Sequence, residues 1–259
     1  MKIVVLVKHV PEPTATWRYA DDRTLDRAGI EGRLSELDEY AVEQAISLVE
    51  GGLPATITYL TMGPARAIDG LRKALSMGGD DGVLVTDDAL HGSDSLATSL
   101  VLARALERLG PDLILCGMAS TDAEMSVVPA MISDRLGVPQ VTFASALSVD
   151  DGSVSVRREG DTSVEEVVAS LPAVVSVTDQ TGDVRYPSFK SIMAAKKKPV
   201  TTWSLGELGI DPGQVGMAGA ATVVRAAALK PPRHAGAVVV DDGEAASQIA
   251  DFLVSQKLL

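Results

Sequence analysis

Ile3-Val4-Val5-Leu6-Val7 is an unbroken apolar run set between Lys2 and Lys8. A strand with one face in water alternates apolar and polar side chains. A run without alternation belongs to a strand covered on both faces, as in a parallel sheet flanked by helices. The next elements repeat the theme. A polar loop spans residues 8–33 and begins with Pro11-Glu12-Pro13. Ser35 with Asp38 resembles an N-cap pair, and Leu37, Ala41, Val42, Ala45, Ile46 and Val49 follow at helical spacing until Gly51-Gly52. Residues 55–61 read as a strand, Met62-Gly63-Pro64 as a turn and 64–77 as a helix with Pro near its first turn. Strand 82–86, helix 93–109 capped by Ser93, strand 112–116, helix 125–136 ended by Gly137 and strand 141–147 complete the series. Strands and helices in such regular alternation predict right-handed βαβ units: an α/β fold with a doubly wound, mostly parallel sheet.

Beyond Ser148 the pattern changes. Asp150-Asp151-Gly152-Ser153 is a hairpin signal, and residues 163–171 and 173–178 read as further β structure. From 179 to about 232 little reads as a regular core element, which suggests an extended arm docked on a partner. Residues 244–257 form a closing amphipathic pattern with Ile249, Phe252, Leu253 and Leu258 on one side. The expected division is a nucleotide-binding α/β domain with a hairpin extension over 1–178, and a recognition loop with a C-terminal arm over 179–259.

Composition narrows the function. The chain has 259 residues, 46% hydrophobic but only 3% aromatic, so the core must be aliphatic. A formal net charge of −12 argues against nucleic acid, whose phosphates require clustered Lys and Arg. Cys116 is the only cysteine, which points to a reducing compartment. The first apolar run is too short for a signal peptide, and no stretch approaches the roughly 20 apolar residues of a membrane span. The expectation is a soluble, cytoplasmic chain. His9, His91 and His234 share no metal-ligand spacing, and no phosphate-loop, dinucleotide or nucleophile-elbow motif occurs. A carrier or binding role therefore fits better than an enzyme.

Two stretches carry the functional signal. Gly117-Met118-Ala119-Ser120-Thr121-Asp122-Ala123-Glu124-Met125-Ser126 follows a buried strand and opens a helix. Ligands of open α/β sheets bind at carboxyl strand ends, where the amides of Ser126, Val127 and Val128 could hold a phosphate. The alternative is an ordinary polar βα loop. Arg185-Tyr186-Pro187-Ser188-Phe189 with Ile192-Met193 and Lys196-Lys197-Lys198 offers a short apolar helix rimmed by cations. It reads equally as a protein-docking element or as a helix packed on its own domain.

This second stretch resembles the signature of electron-transfer flavoprotein beta subunits, roughly N-E-P-R-[YF]-x-x-[LF]-x-x-I-M-x-A-K-K-K. The opening K-I-V-V-L-V-K, D-E-Y-A-V-E-Q-A, M-G-P-A-R, L-R-K-A-L-S-M-G-G-D, G-V-P-Q-V-T-F-A-S, R-R-E-G-D, L-P-A-V-V-S-V and P-P-x-x-A-G resemble that family in order. The resemblance implies a heterodimer with an alpha subunit that holds most of one FAD on a mobile domain. It also implies a structural AMP in the beta chain, in place of which electron-bifurcating members hold a second FAD. Electrons would pass from flavin dehydrogenases such as acyl-CoA dehydrogenases to a downstream quinone oxidoreductase. By position, the AMP shell falls on Leu6, Ser35, Glu36, Leu37, Asp38, Met62, Gly117, Asp122, Ser126, Val127 and Val128. Glu159 would steady the flavin domain, and Tyr186, Phe189, Ile192 and Met193 would dock the dehydrogenase. The chain departs from the family at Ser35-Glu36-Leu37, where many members carry Asn-Pro-Phe. Asp122 to Pro129 replaces a D-x-D-x-N-Q-T-G-Q-like loop, and Gly182-Asp183-Val184 replaces Asn-Glu-Pro. Two rivals are weaker. An ATP pyrophosphatase-like enzyme needs S-G-G-x-D-S after the first strand, where Lys8-His9-Val10-Pro11 stands. A free-standing adenine-nucleotide sensor has no need of the segment 179–230.

Overall fold

The computed structural model describes every residue except 151, 229, 233–235 and 237, so Asp151 of the hairpin signal and His234 lie outside the described residues. In chain order the strands are β1 Lys2–Leu6, β2 His9–Pro11, β3 Gly32–Leu34, β4 Thr56–Met62, β5 Asp81–Val85, β6 Leu113–Gly117, β7 Gln140–Asp150, β8 Ser153–Glu159, β9 Val164–Ser170, β10 Ala173–Val177 and β11 Val200–Trp203. The helices are α1 Glu36–Glu50, α2 Ile68–Met77, α3 Ser95–Leu109, α4 Val128–Leu136, α5 Phe189–Ala195, α6 Gly216–Gly219 and α7 Ala245–Ser255. Two compact units result, Met1–Arg225 and Ala226–Leu259.

The main sheet runs β11-β5-β4-β1-β6-β10-β7-β8-β9. Pairing is parallel from β11 through β7, and the β7-β8-β9 meander is antiparallel. This is the doubly wound α/β architecture that the unbroken apolar runs predict. The first run shows why. Ile3, Val5 and Val7 pack on one face with Ala41, Val42 and Ala45 of α1 and Leu71 and Leu75 of α2. Val4 and Leu6 pack on the other with Val101 and Leu102 of α3 and Ile132 of α4. Each face must be apolar because each is covered.

Three local expectations change. The Asp94 side chain, not Ser93, caps α3 by accepting the Ala97 N–H at 3.0 Å. Helix α4 starts at Val128 rather than at residue 125, because residues 124 and 126 take left-handed backbone angles that cannot continue a helix. Between 179 and 232, β11 forms and joins the sheet edge, with Val200 opposite Gly82 and Trp203 opposite Val85. Trp203 is buried, and the Arg108 guanidinium lies 4.4 Å from its ring centroid. In the second unit, the closing pattern forms α7, with Ile249, Phe252 and Leu258 exposed. No described helix is long and apolar enough to cross a membrane.

Candidate functional site

The strand order reverses between β1 and β6: β4 and β5 lie outward of β1, whereas β10 and β7 lie outward of β6. Such a switch point opens a crevice at the carboxyl strand ends. Leu6 ends β1 and Gly117 ends β6 on that edge. The start of α1 closes tightly on it. A Cβ at residue 117 would stand 2.7 Å from the Leu37 carbonyl and from an Asp38 carboxylate oxygen, so only glycine permits the approach. Ser35 and Asp38 are not a reciprocal cap, since the Ser35 hydroxyl caps no helical amide. Ser35 Oγ instead accepts the Thr121 N–H at 3.4 Å, and Asp38 Oδ2 accepts the Lys8 N–H at 2.8 Å. Both residues tie the helix start to chain segments far away in sequence.

The loop after β6 is held from below by charge. Lys8 Nζ donates to Asp122 Oδ1 at 2.8 Å and to Ser120 Oγ at 3.2 Å, and Arg27 adds a second ion pair to Asp122. Arg66 Nη1 in turn donates to the carbonyls of Arg27 at 3.3 Å and Ala28 at 3.2 Å. Asp122 is 1% exposed at its side chain and faces inward, onto these cations. Beyond it, Ser126 has φ +56 and Val127 is right-handed, the alternation that turns successive amides to one side as an anion nest. Among the described residues, the amides of Ser126, Val127 and Val128 find no acceptor within the chain, and the buried Thr121 hydroxyl has no partner. Unsatisfied donors at a helix start on a switch-point edge suit a phosphate. Glu36 is exposed, while Leu37 and Met62 are half-buried along the same edge. Glu159 lies apart, at the end of β8, where it pairs with Arg157 of its own strand at 3.1 Å.

The second stretch forms α5, with the Ser188 side chain accepting the Ser191 N–H at 3.1 Å as its cap. Phe189 is 79% exposed and Tyr186 96%; Ile192 and Met193 are also exposed, and only Ala195 of the helix is buried. Phe189 therefore does not pack into the aliphatic core. An Arg185 fork grips α1: Nε and Nη2 donate to the two Glu43 oxygens, each at 2.8 Å, and Nη1 and Nη2 donate to Glu50 at 2.8 and 2.9 Å.

Residues 22–208 match the family described as the electron transfer flavoprotein domain. Over 263 residues, covering 99% of each chain, the protein is 44% identical to the electron transfer flavoprotein subunit beta of Mycobacterium tuberculosis, and equally so to that of Mycobacterium leprae. The chain belongs to the electron transfer flavoprotein family, as a beta subunit. The subunit beta of Megasphaera elsdenii is 33% identical over the full length of both chains. Membership implies association with flavin and an alpha subunit as partner.

Sequence reasoning singled out this carboxyl-end edge of the beta subunit but missed the cations that hold its loop. Lys8 and Arg27 carried no motif, because the ion pairs to Asp122 join residues 114 and 95 positions apart. The net shift at Asp122 is opposite to that at Asp38. Burial alone would raise the Asp122 carboxyl, but Lys8 and Arg27 outweigh it and hold it down at about 2. Burial pushes Asp38 up to about 7 against the hydrogen bond from Lys8, from an ordinary value of 3.8. As pH rises from about 4 to 7, the unfolded chain releases the Asp38 proton and the native chain keeps it, so stability falls across that window. The Asp122 contribution is present above about pH 4 and is lost as pH falls toward 2. In the isolated chain, Asp38→Asn is expected to flatten the slope between pH 4 and 7, an effect on the order of a few kcal/mol. Thermal melts at the two pH values check this; a mutant with the wild-type slope would remove Asp38 as its source.

Proposed function

We propose that this beta subunit relays electrons between flavin dehydrogenases and a downstream quinone oxidoreductase in the cytoplasm, as the partner of an alpha subunit that holds most of one FAD. In this reading it is a carrier rather than an enzyme. The bound FAD supplies the redox chemistry; the residues of this chain bind, orient and dock. The observation that carries the reading is the pairing of an exposed apolar ridge, Tyr186, Phe189, Ile192 and Met193, with a rigid arginine mount. An exposed aromatic in a polar rim has the makeup of a binding hot spot.

A structural AMP fits the crevice at the β1 and β6 ends. The amides of Ser126, Val127 and Val128 would take its phosphate, and the partnerless Thr121 hydroxyl would gain an acceptor. Leu6, Ser35, Glu36, Leu37, Asp38, Met62, Gly117 and Asp122 would form its walls. The exposed apolar side of α7, with Ile249 and Phe252, would be covered by the alpha subunit as part of the C-terminal arm. Glu159 would meet the flavin domain by exchanging Arg157 for a cation there. Glu159→Gln should slow electron transfer with little change in melting temperature, since an exposed pair contributes only about 0.2–1 kcal/mol.

Co-expression with an alpha subunit, followed by denaturation and mass measurement of the released nucleotides, tests the reading. One AMP and one FAD per heterodimer are expected. Two FAD would move the chain to the electron-bifurcating type, and FAD with no second nucleotide would remove the crevice from the binding sites.

A further inference from the structure

Helix α5 has seven residues, too few to persist without support. Its support comes from an exchange of cations with α2. Arg72 of α2 donates through Nη1 to the Ala195 carbonyl at 2.8 Å and to the Lys198 carbonyl at 2.7 Å, satisfying the end of α5. Lys198 in turn donates through Nζ to the carbonyls of Leu75 at 2.9 Å and Gly78 at 3.2 Å, satisfying the end of α2. Each helix thus receives at its C-terminus the positive group that its dipole and free carbonyls favour, and each gives one back. Lys198 is half-buried in this contact, whereas Lys196 and Lys197 are exposed. At the other end of the segment, the Arg185 amide and guanidinium hold to Glu43.

We propose that Arg72 and Lys198 are positioning residues for partner docking: they preset α5 in its bound conformation, so that a dehydrogenase meets an ordered ridge and does not have to order it. The proposal rests on the reading of α5 as the docking helix. It divides the basic run by role, with Lys198 an internal bolt and Lys196 and Lys197 left free to meet acidic groups of the partner. The argument is one of preorganisation: ordering rotamer-rich groups on binding weakens affinity, and a ridge ordered beforehand avoids that loss. Neither residue would touch the partner, so their removal should act through the mobility of α5 alone.

The test uses the intact heterodimer with a reduced flavin dehydrogenase. Arg72→Met and Lys198→Met should each speed amide hydrogen exchange across residues 189–195 by tenfold or more. Each should raise the KM for the heterodimer about fivefold, with the maximal rate within twofold and the FAD content unchanged. Lys198→Arg, which keeps a cation at the α2 carbonyls, should restore most of the affinity. Phe189→Ala, measured in parallel, separates the two levels of the argument. If α5 exchanges at the wild-type rate in both methionine variants, the mount is wrong. If exchange accelerates and only Phe189→Ala raises KM, α5 docks without needing the mount, and the proposal is overturned. If Phe189→Ala also leaves KM untouched, the docking reading itself fails, while the exchange data still report whether the mount holds α5.

Discussion

Replacing Arg185 with Ala is expected to lower the stability of the beta subunit by about 2–3 kcal/mol, a fall in melting temperature of about 5–10 °C for a domain of this size. Glu43 is the reason. Its side chain is 12% exposed, and apart from the Arg185 guanidinium its carboxylate accepts only from two neutral donors, the Arg185 backbone N–H at 3.1 Å and Ser47 Oγ at 3.2 Å. Burial would raise the Glu43 carboxyl, and the Arg185 bonds overcome this to hold it below its ordinary value. Without the guanidinium a half-desolvated charge keeps two neutral donors but no countercharge, which costs more than the pair ever contributed. Glu50 adds little, because it is exposed and water replaces the lost partner. Arg185→Lys should recover only part of the loss, since an ammonium lacks the planar fork that spans both carboxylates. Glu43→Gln in the Arg185→Ala background should recover more, because it removes the stranded charge. Equilibrium denaturation of the three variants checks the ranking. A single mutant as stable as wild type would show that the fork is ornamental.

Phe189→Ala should do the reverse. With most of its surface in water, the side chain contributes little to folding, so melting temperature should hold and stability should change by less than about 0.5 kcal/mol. Affinity for a flavin dehydrogenase should fall about tenfold or more, or about 1.4 kcal/mol, the scale of an aromatic anchor lost from an interface. Steady-state reduction of the heterodimer at varied concentration measures it. Wild-type affinity would end the docking assignment of α5.

The parts of this fold legible in the sequence are those written in periodicity. The unalternating runs at Ile3 and Leu113 announce strands covered on both faces, and the two core layers confirm the reason. The hairpin beyond Ser148 was marked by its turn residues. Strand β11 was not legible. It is four residues long, follows Pro199, and is a strand only because β5 offers an open edge to pair with. At the candidate site, Gly117 and the loop after it stand out because a polar loop follows a buried strand and opens a helix there. The direction in which Ser35 and Asp38 point was hidden. Both have the sequence signature of a cap, and tertiary contacts with Thr121 and Lys8 take them instead. The Arg185 fork was hidden for the same reason. Glu43 and Glu50 sit seven residues apart on one face of α1, but their partner lies 142 residues from Glu43. Local chemistry is readable along the chain; pairs made by folding are readable only after it.

The central claim is that this chain completes a flavoprotein without holding the flavin by itself. Flavin absorbance of the purified chain, expressed alone and then with an alpha subunit, tests it most directly. The account predicts a colourless beta subunit and a yellow heterodimer with one FAD held mainly by alpha. A beta subunit that alone retains a full equivalent of FAD would contradict it.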